Sequence, residues 1–119
     1  MPREVRAYLS DIIAACDAIA SDIANVDLEF YLANREKRSA VEREFIIIGE
    51  AVNVLSDIAP ELFARIDQAR RIVDFRNQLT HAYAVVNDKL VWGYATKDAP
   101  ALRVQRAALL EDQGIPGAD

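Results

Sequence analysis

The apolar residues Val41, Phe45, Ile48, Val52 and Leu55 step 4, 3, 4, 3 along the chain. That is the spacing of one face of a bundle helix. Ile46 and Ile47 widen the face until residues 45–48 are apolar nearly all round, and a helix apolar on every side must be covered on every side. Two covers satisfy this: a central place in the chain's own bundle, or contact with a second copy. Gly49 and Ala51 follow inside the same helix. Glycine there costs about 1 kcal/mol relative to alanine, so close approach of another helix is its motive. Glu50 is a lone charge beside this surface, either a solvent-edge residue or the partner of an arginine such as Arg76.

The rest of the chain reads as helices of the same kind. Val5, Leu9, Ile12, Cys16, Ile19 and Ile23 predict an amphipathic helix over about 3–25, broken at Asn25-Val26-Asp27. Asp27 caps a short turn carrying Phe30 and Tyr31, and the polar run 34–44 opens the long central helix. Pro60 ends that helix, because the residue before a proline is pushed out of α geometry. Residues 61–66 form a connector. A third long helix spans 67–86, with Ile72, Phe75, Leu79, Ala82 and Val86 inward, and stops at Asn87-Asp88. The last helix opens at Leu90. Pro100 kinks or restarts it, with Thr96 or Asp98 as cap, before Leu102, Val104, Leu109 and Leu110. The expected fold is all-α, an up-and-down bundle of four to five helices forming one domain over 1–111, with a disordered tail over 112–119.

Only four glycines and four prolines occur, which fits long helices better than a sheet. No apolar run approaches the roughly 20 residues of a membrane span, and the first residues lack a signal-peptide layout, so a cytoplasmic protein is expected. Cys16 is the sole cysteine and sits in an apolar stripe, which reads as a small buried thiol, not a nucleophile. The net charge of −5 argues against a nucleic-acid partner until its distribution is considered. Twelve acidic residues oppose six basic ones over 1–64, whereas eight basic oppose four acidic over 65–106.

That basic segment holds Arg76-Asn77-Gln78-Leu79-Thr80-His81-Ala82-Tyr83, with the only histidine of the chain. On a continuous helix Arg76 and Tyr83 share one stripe, and Asn77 and His81 share a neighbouring one. The arc is too broad for one helix to grip a small ligand, so the expected site is a groove where two copies of the segment face each other in a homodimer. Histidine is the side chain best suited to proton transfer near neutrality. Arginine offers a planar, permanently charged fork matched to phosphate oxygens. Such a set suits attack of a ribose 2′-hydroxyl on its own phosphate. No carboxylate pair at metal-ligand spacing lies near the motif, so neither metal nor cofactor is expected. The same residues could equally form a polar network that ties the bundle together.

Ile48-Gly49-Glu50-Ala51, then Pro60, then Arg76-Asn77-x-Leu79-x-His81-x-Tyr83, then Val91-Trp92 and Asp98-x-Pro100-x-Leu102 together resemble the HepT-like family of HEPN-domain toxins. The resemblance covers about residues 3–110. It implies a dimerising helical bundle and a metal-independent RNase in which Arg76 and His81 are the catalytic pair and Asn77 a polar companion. It also implies a cognate partner, a minimal nucleotidyltransferase antitoxin that attaches AMP to Tyr83. The competing expectation is a catalytically weak helical module that binds a nucleotidyltransferase or a nucleotide. A positive groove around His81 favours the nuclease, and a narrow pocket there favours the module.

Overall fold

In the computed structural model, residues 3–81 and 86–112 are described, and no strand occurs among them. Helix α1 spans Arg3–Ile23, α2 Leu28–Ala33, α3 Arg35–Ile58, α4 Pro60–Arg65 and α5 Ala69–Thr80. Helix α6 spans Asp88–Gly93 and runs through a π turn, Tyr94–Asp98, into α7, Ala99–Asp112. The all-α bundle expected from the periodicity is the observed architecture. No described helix is long and apolar enough to cross a membrane.

Local chemistry sets the breaks. Asn25 takes a left-handed conformation (φ 61°), one of the few residues that does so readily, and α1 stops before it. The Asp27 carboxylate accepts from the Phe30 N–H at 2.8 Å and starts α2. Asn34 accepts from the Lys37 N–H and starts α3. Ala59 leaves helical geometry, and Pro60 occupies the first position of α4, where its missing N–H costs nothing.

Helix α3 lies between α1 and α5, and α1 also packs against α7. Val41, Phe45, Ile48, Val52 and Leu55 are all buried, as their spacing requires, against Val5, Leu9, Ile12, Cys16 and Ile19 of α1. Ile46 and Ile47 stay half-buried within the single chain. Tyr31 is wholly buried and its ring meets Trp92 at 5.2 Å, fastening α2 to α6. Phe45, Phe75 and Tyr94 stand mutually edge-on and join α3, α5 and the π turn. Cys16 is buried, and burial pushes its thiol up to about 11, so it stays protonated near neutrality.

Three expectations from the sequence are corrected. Helix α5 covers 69–80 instead of 67–86: Gln68 adopts a left-handed φ of 55°, and the far end closes at His81. Neither Thr96 nor Asp98 caps a new helix. The Thr96 hydroxyl donates back to the carbonyls of Trp92 and Gly93, and the Ala99 N–H reaches the Tyr94 carbonyl, five residues back. The wider turn gives the Pro100 ring room that a regular α turn would deny it. In α7 the apolar stripe contains an arginine: Val104 points outward at 68 % exposure, whereas Arg106 is 0 % exposed. Arg106 donates to Gln105 Oε1, and its Nε and Nη1 have no hydrogen-bond partner. Burial lowers its guanidinium to about 10. Residues 113–119, most of the tail expected to be disordered, lie outside the described residues, and Asp112 belongs to α7.

Candidate active site

The segment singled out in the sequence occupies the C-terminal end of α5. Arg76 and Asn77 are in its last turns, and His81 is the residue that ends it. Thr80 lies at this end, and its hydroxyl donates to the carbonyls of Arg76 (3.1 Å) and Asn77 (3.2 Å). The His81 N–H bonds the Gln78 carbonyl in a tighter turn, and His81 turns into extended backbone (φ −79°, ψ 124°). His81 and Asn77 are both exposed. Tyr83 lies outside the described residues.

Arg76 is held differently. It is half-buried, and its Nε is enclosed without a hydrogen-bond partner. The cause is Gly49. A Cβ placed on Gly49 would come within 2.2 Å of Arg76 Cβ and 2.7 Å of Arg76 Cγ. The stem of Arg76 thus lies in the groove that the missing side chain leaves in α3. The close helix approach expected from a glycine inside a helix is present, and the helix that approaches carries the motif arginine. Glu50, next in sequence, is exposed, and no ion pair joins it to Arg76 among the described residues.

Arg70 and Arg71 are also exposed on α5, and Arg70 lies over the Phe63 ring of α4 at 5.5 Å. The positive charge of the 65–106 segment is therefore displayed along the same helix as Arg76. Among the described residues, no group of three or more histidine, cysteine, aspartate or glutamate side chains is placed to hold a metal ion. The arrangement supplies an exposed imidazole on non-helical backbone, a guanidinium whose stem is fixed, and an exposed amide between them. These are the parts needed for proton transfer and for neutralising a phosphate.

Known proteins have sequences similar to this chain. The family described as Ribonuclease HepT-like matches residues 12–109. The chain is 30 % identical over 103 residues to "Probable ribonuclease HepT" of Thermococcus cleftensis, covering 87 % of this chain and 93 % of that protein. It is 29 % identical over 101 residues to "Putative RNase MJ1380" of Methanocaldococcus jannaschii, covering 85 % and 92 %. A second protein of that organism, "Putative RNase MJ1216", is 28 % identical over 117 residues, covering 98 % and 94 %. No solved structure gives a significant match. A family match that takes in α3, α5 and α7, and with them Gly49, Arg76 and His81, leads to one conclusion: the chain belongs to the HepT-like ribonuclease family.

Proposed function

We propose that this ribonuclease cleaves RNA without a metal ion, at a cleft formed by two copies of the α5 end. Arg76 and His81 are its catalytic residues and Asn77 an accessory donor. The observation that carries the reading is the pairing of a fixed, half-buried Arg76, whose Nε lacks an acceptor, with an exposed His81 at the end of the same helix. Because Nε itself is enclosed, the phosphate is bound through the terminal nitrogens of the Arg76 fork. In the reaction the ribose 2′-oxygen bonds to phosphorus as its proton passes to an imidazole, and the bond from phosphorus to the 5′-oxygen breaks as that oxygen takes up a proton. The products are a 2′,3′-cyclic phosphate and a free 5′-hydroxyl. The two histidines of a dimer divide the roles of base and acid, while arginine forks neutralise the charge gathering on the phosphorane. The half-buried Ile46 and Ile47 supply apolar surface for the second copy.

Bulk RNA incubated with the protein in chelator should be cut to fragments ending in cyclic phosphate, by a species with the light-scattering mass of a dimer. Intact RNA, or a monomeric mass at micromolar concentration, overturns the reading and leaves the helical interaction module in its place.

The wider role follows from the same site. The protein acts in the cytoplasm as the toxin of a toxin-antitoxin pair, restrained by a nucleotidyltransferase that modifies Tyr83. The phenol oxygen attacks the α-phosphorus of ATP, pyrophosphate leaves, the phenolic proton is released, and Tyr83 carries AMP. The added phosphate then competes for Arg76, and the base fills the cleft. Tyr83→Phe should keep most of its cleavage yet escape silencing by such an enzyme supplied with ATP. Mass spectrometry should find AMP on Tyr83 of the wild type and not on Tyr8, Tyr31 or Tyr94. An adduct elsewhere, or a silenced Tyr83→Phe, refutes this control.

A further inference from the structure

A cavity of about 200 Å³ opens beside the motif, between α5, the π turn and the start of α7, with α3 as its floor. Its apolar wall is the edge-on trio Phe45, Phe75 and Tyr94. Its rim is polar and carries both signs: Gln68 and Arg71 from α5, Asp98 from the π turn. Arg71 is exposed and donates through Nη1 to Gln68 Oε1 at 2.8 Å, which holds its fork at the rim. Asp98 is exposed, and no ion pair engages it among the described residues. Phe75, in the cavity wall, directly precedes Arg76 on α5, although neither Arg76 nor His81 lines the cavity itself.

We propose that this cavity takes one unpaired base of the RNA, next to the cleaved phosphate, and that guanine is the base it fits best. The inference rests on the ribonuclease reading above and adds to it a site that selects the substrate. Single-stranded RNA is read by placing a splayed base against aromatic rings and bonding its edges. Three aromatic rings give the flat part of a base its apolar surroundings. The rim then discriminates. A carboxylate accepts only, and a guanidinium donates only. Guanine alone among the four bases presents a pair of N–H donors on one edge and the O6 and N7 acceptor pair on another. Uracil offers neither pair, and its carbonyls meet the Asp98 carboxylate as acceptor against acceptor.

The test uses intact His81→Ala, in which cleavage is slowed, and 5′-GMP, 5′-AMP, 5′-CMP and 5′-UMP as probes in an NMR titration. GMP should bind most tightly and shift the amides of Phe75, Tyr94 and Asp98. Asp98→Asn and Arg71→Gln, both at exposed positions, should weaken GMP by about fivefold or more, within the range for losing a two-bond base contact. In the His81-containing protein, Asp98→Asn should change which linkages are cut while the best substrate is still cleaved. Equal binding of GMP and UMP, or unchanged GMP affinity in both rim variants, overturns the site, as does a cavity sealed by the second copy so that no nucleotide binds. Failure of the ribonuclease reading looks different: wild type leaves RNA intact in chelator while GMP still binds at the rim.

Discussion

His81→Ala is expected to lower the rate of RNA cleavage by about 10²-fold or more, the lower range for loss of a general acid or base. The side chain is exposed at the end of α5. Substitution at an exposed position usually changes stability by about 0.5 kcal/mol or less, so the melting temperature should stay near that of the wild type. Loss of rate with the fold intact separates a chemical role from a structural one. Arg76→Lys should fail as well, although charge is conserved, because an ammonium is a point charge and cannot reproduce the planar two-donor fork. Lysine also ends in a shorter, compact head, so it leaves unfilled the position that Arg76 reaches from the groove beside Gly49. Either variant cleaving at the wild-type rate, measured on purified protein in chelator, would place the nuclease elsewhere.

Gly49→Ala is expected to cost far more activity than stability. Its Cβ would stand 2.2 Å from Arg76 Cβ, against about 3.5–4.0 Å for carbon atoms in ordinary contact. Arg76 Cβ is fixed to its own backbone, so no change of rotamer relieves the overlap, and α5 must move away from α3 by more than an ångström. Better helix propensity returns about 1 kcal/mol, while forced overpacking costs about 1–3 kcal/mol, occasionally more. The net loss of stability should therefore be modest, roughly 0–2 kcal/mol and a few degrees of melting temperature. Cleavage should fall much further, by about 10²-fold, the effect of a 1 Å misplacement of catalytic groups. Thermal melting and cleavage assays on the same preparation give the comparison. A variant that keeps both its melting temperature and its rate would show that α5 does not depend on the groove.

Much of this architecture could be read from spacing. The buried face of α3 is the 4, 3, 4, 3 series, and Gly49 pointed to a close helix contact before its partner was known. Asp27 and Asn34 cap the helices they were expected to start or adjoin. What escaped was set by single interactions that periodicity does not contain. The end of α5 is a single tighter turn, in which the His81 N–H bonds the Gln78 carbonyl. The π turn left no trace in the sequence, since Val91, Ala95 and Ala99 are buried at steps that a regular helix also shows. Arg106 also lay in view, four residues after Leu102 and three before Leu109, on the inward stripe. Its charge, not its position, hid it, because a wholly enclosed arginine is rare. The cavity rim could not be read at all, since Arg71 and Asp98 are 27 positions apart in sequence and meet only through the fold.

Helix α5 packs chiefly against α3, whereas α1 and α3 support each other and α1 is backed by α7. Its twelve residues bury only Ala69 and Val73 completely. Among the long helices α1, α3, α5 and α7, the one that carries the motif is therefore the one with least to lose by detaching. Proteins open in cooperative units of unequal free energy, and functional elements are drawn from the weaker ones. Here the α1, α3 and α7 scaffold can persist through fluctuations that lift α5 out of the Gly49 groove, so the lifetime of the competent site is shorter than the lifetime of the fold. Anything that clamps α5, a second subunit or a bound strand of RNA, lengthens the first without needing to change the second.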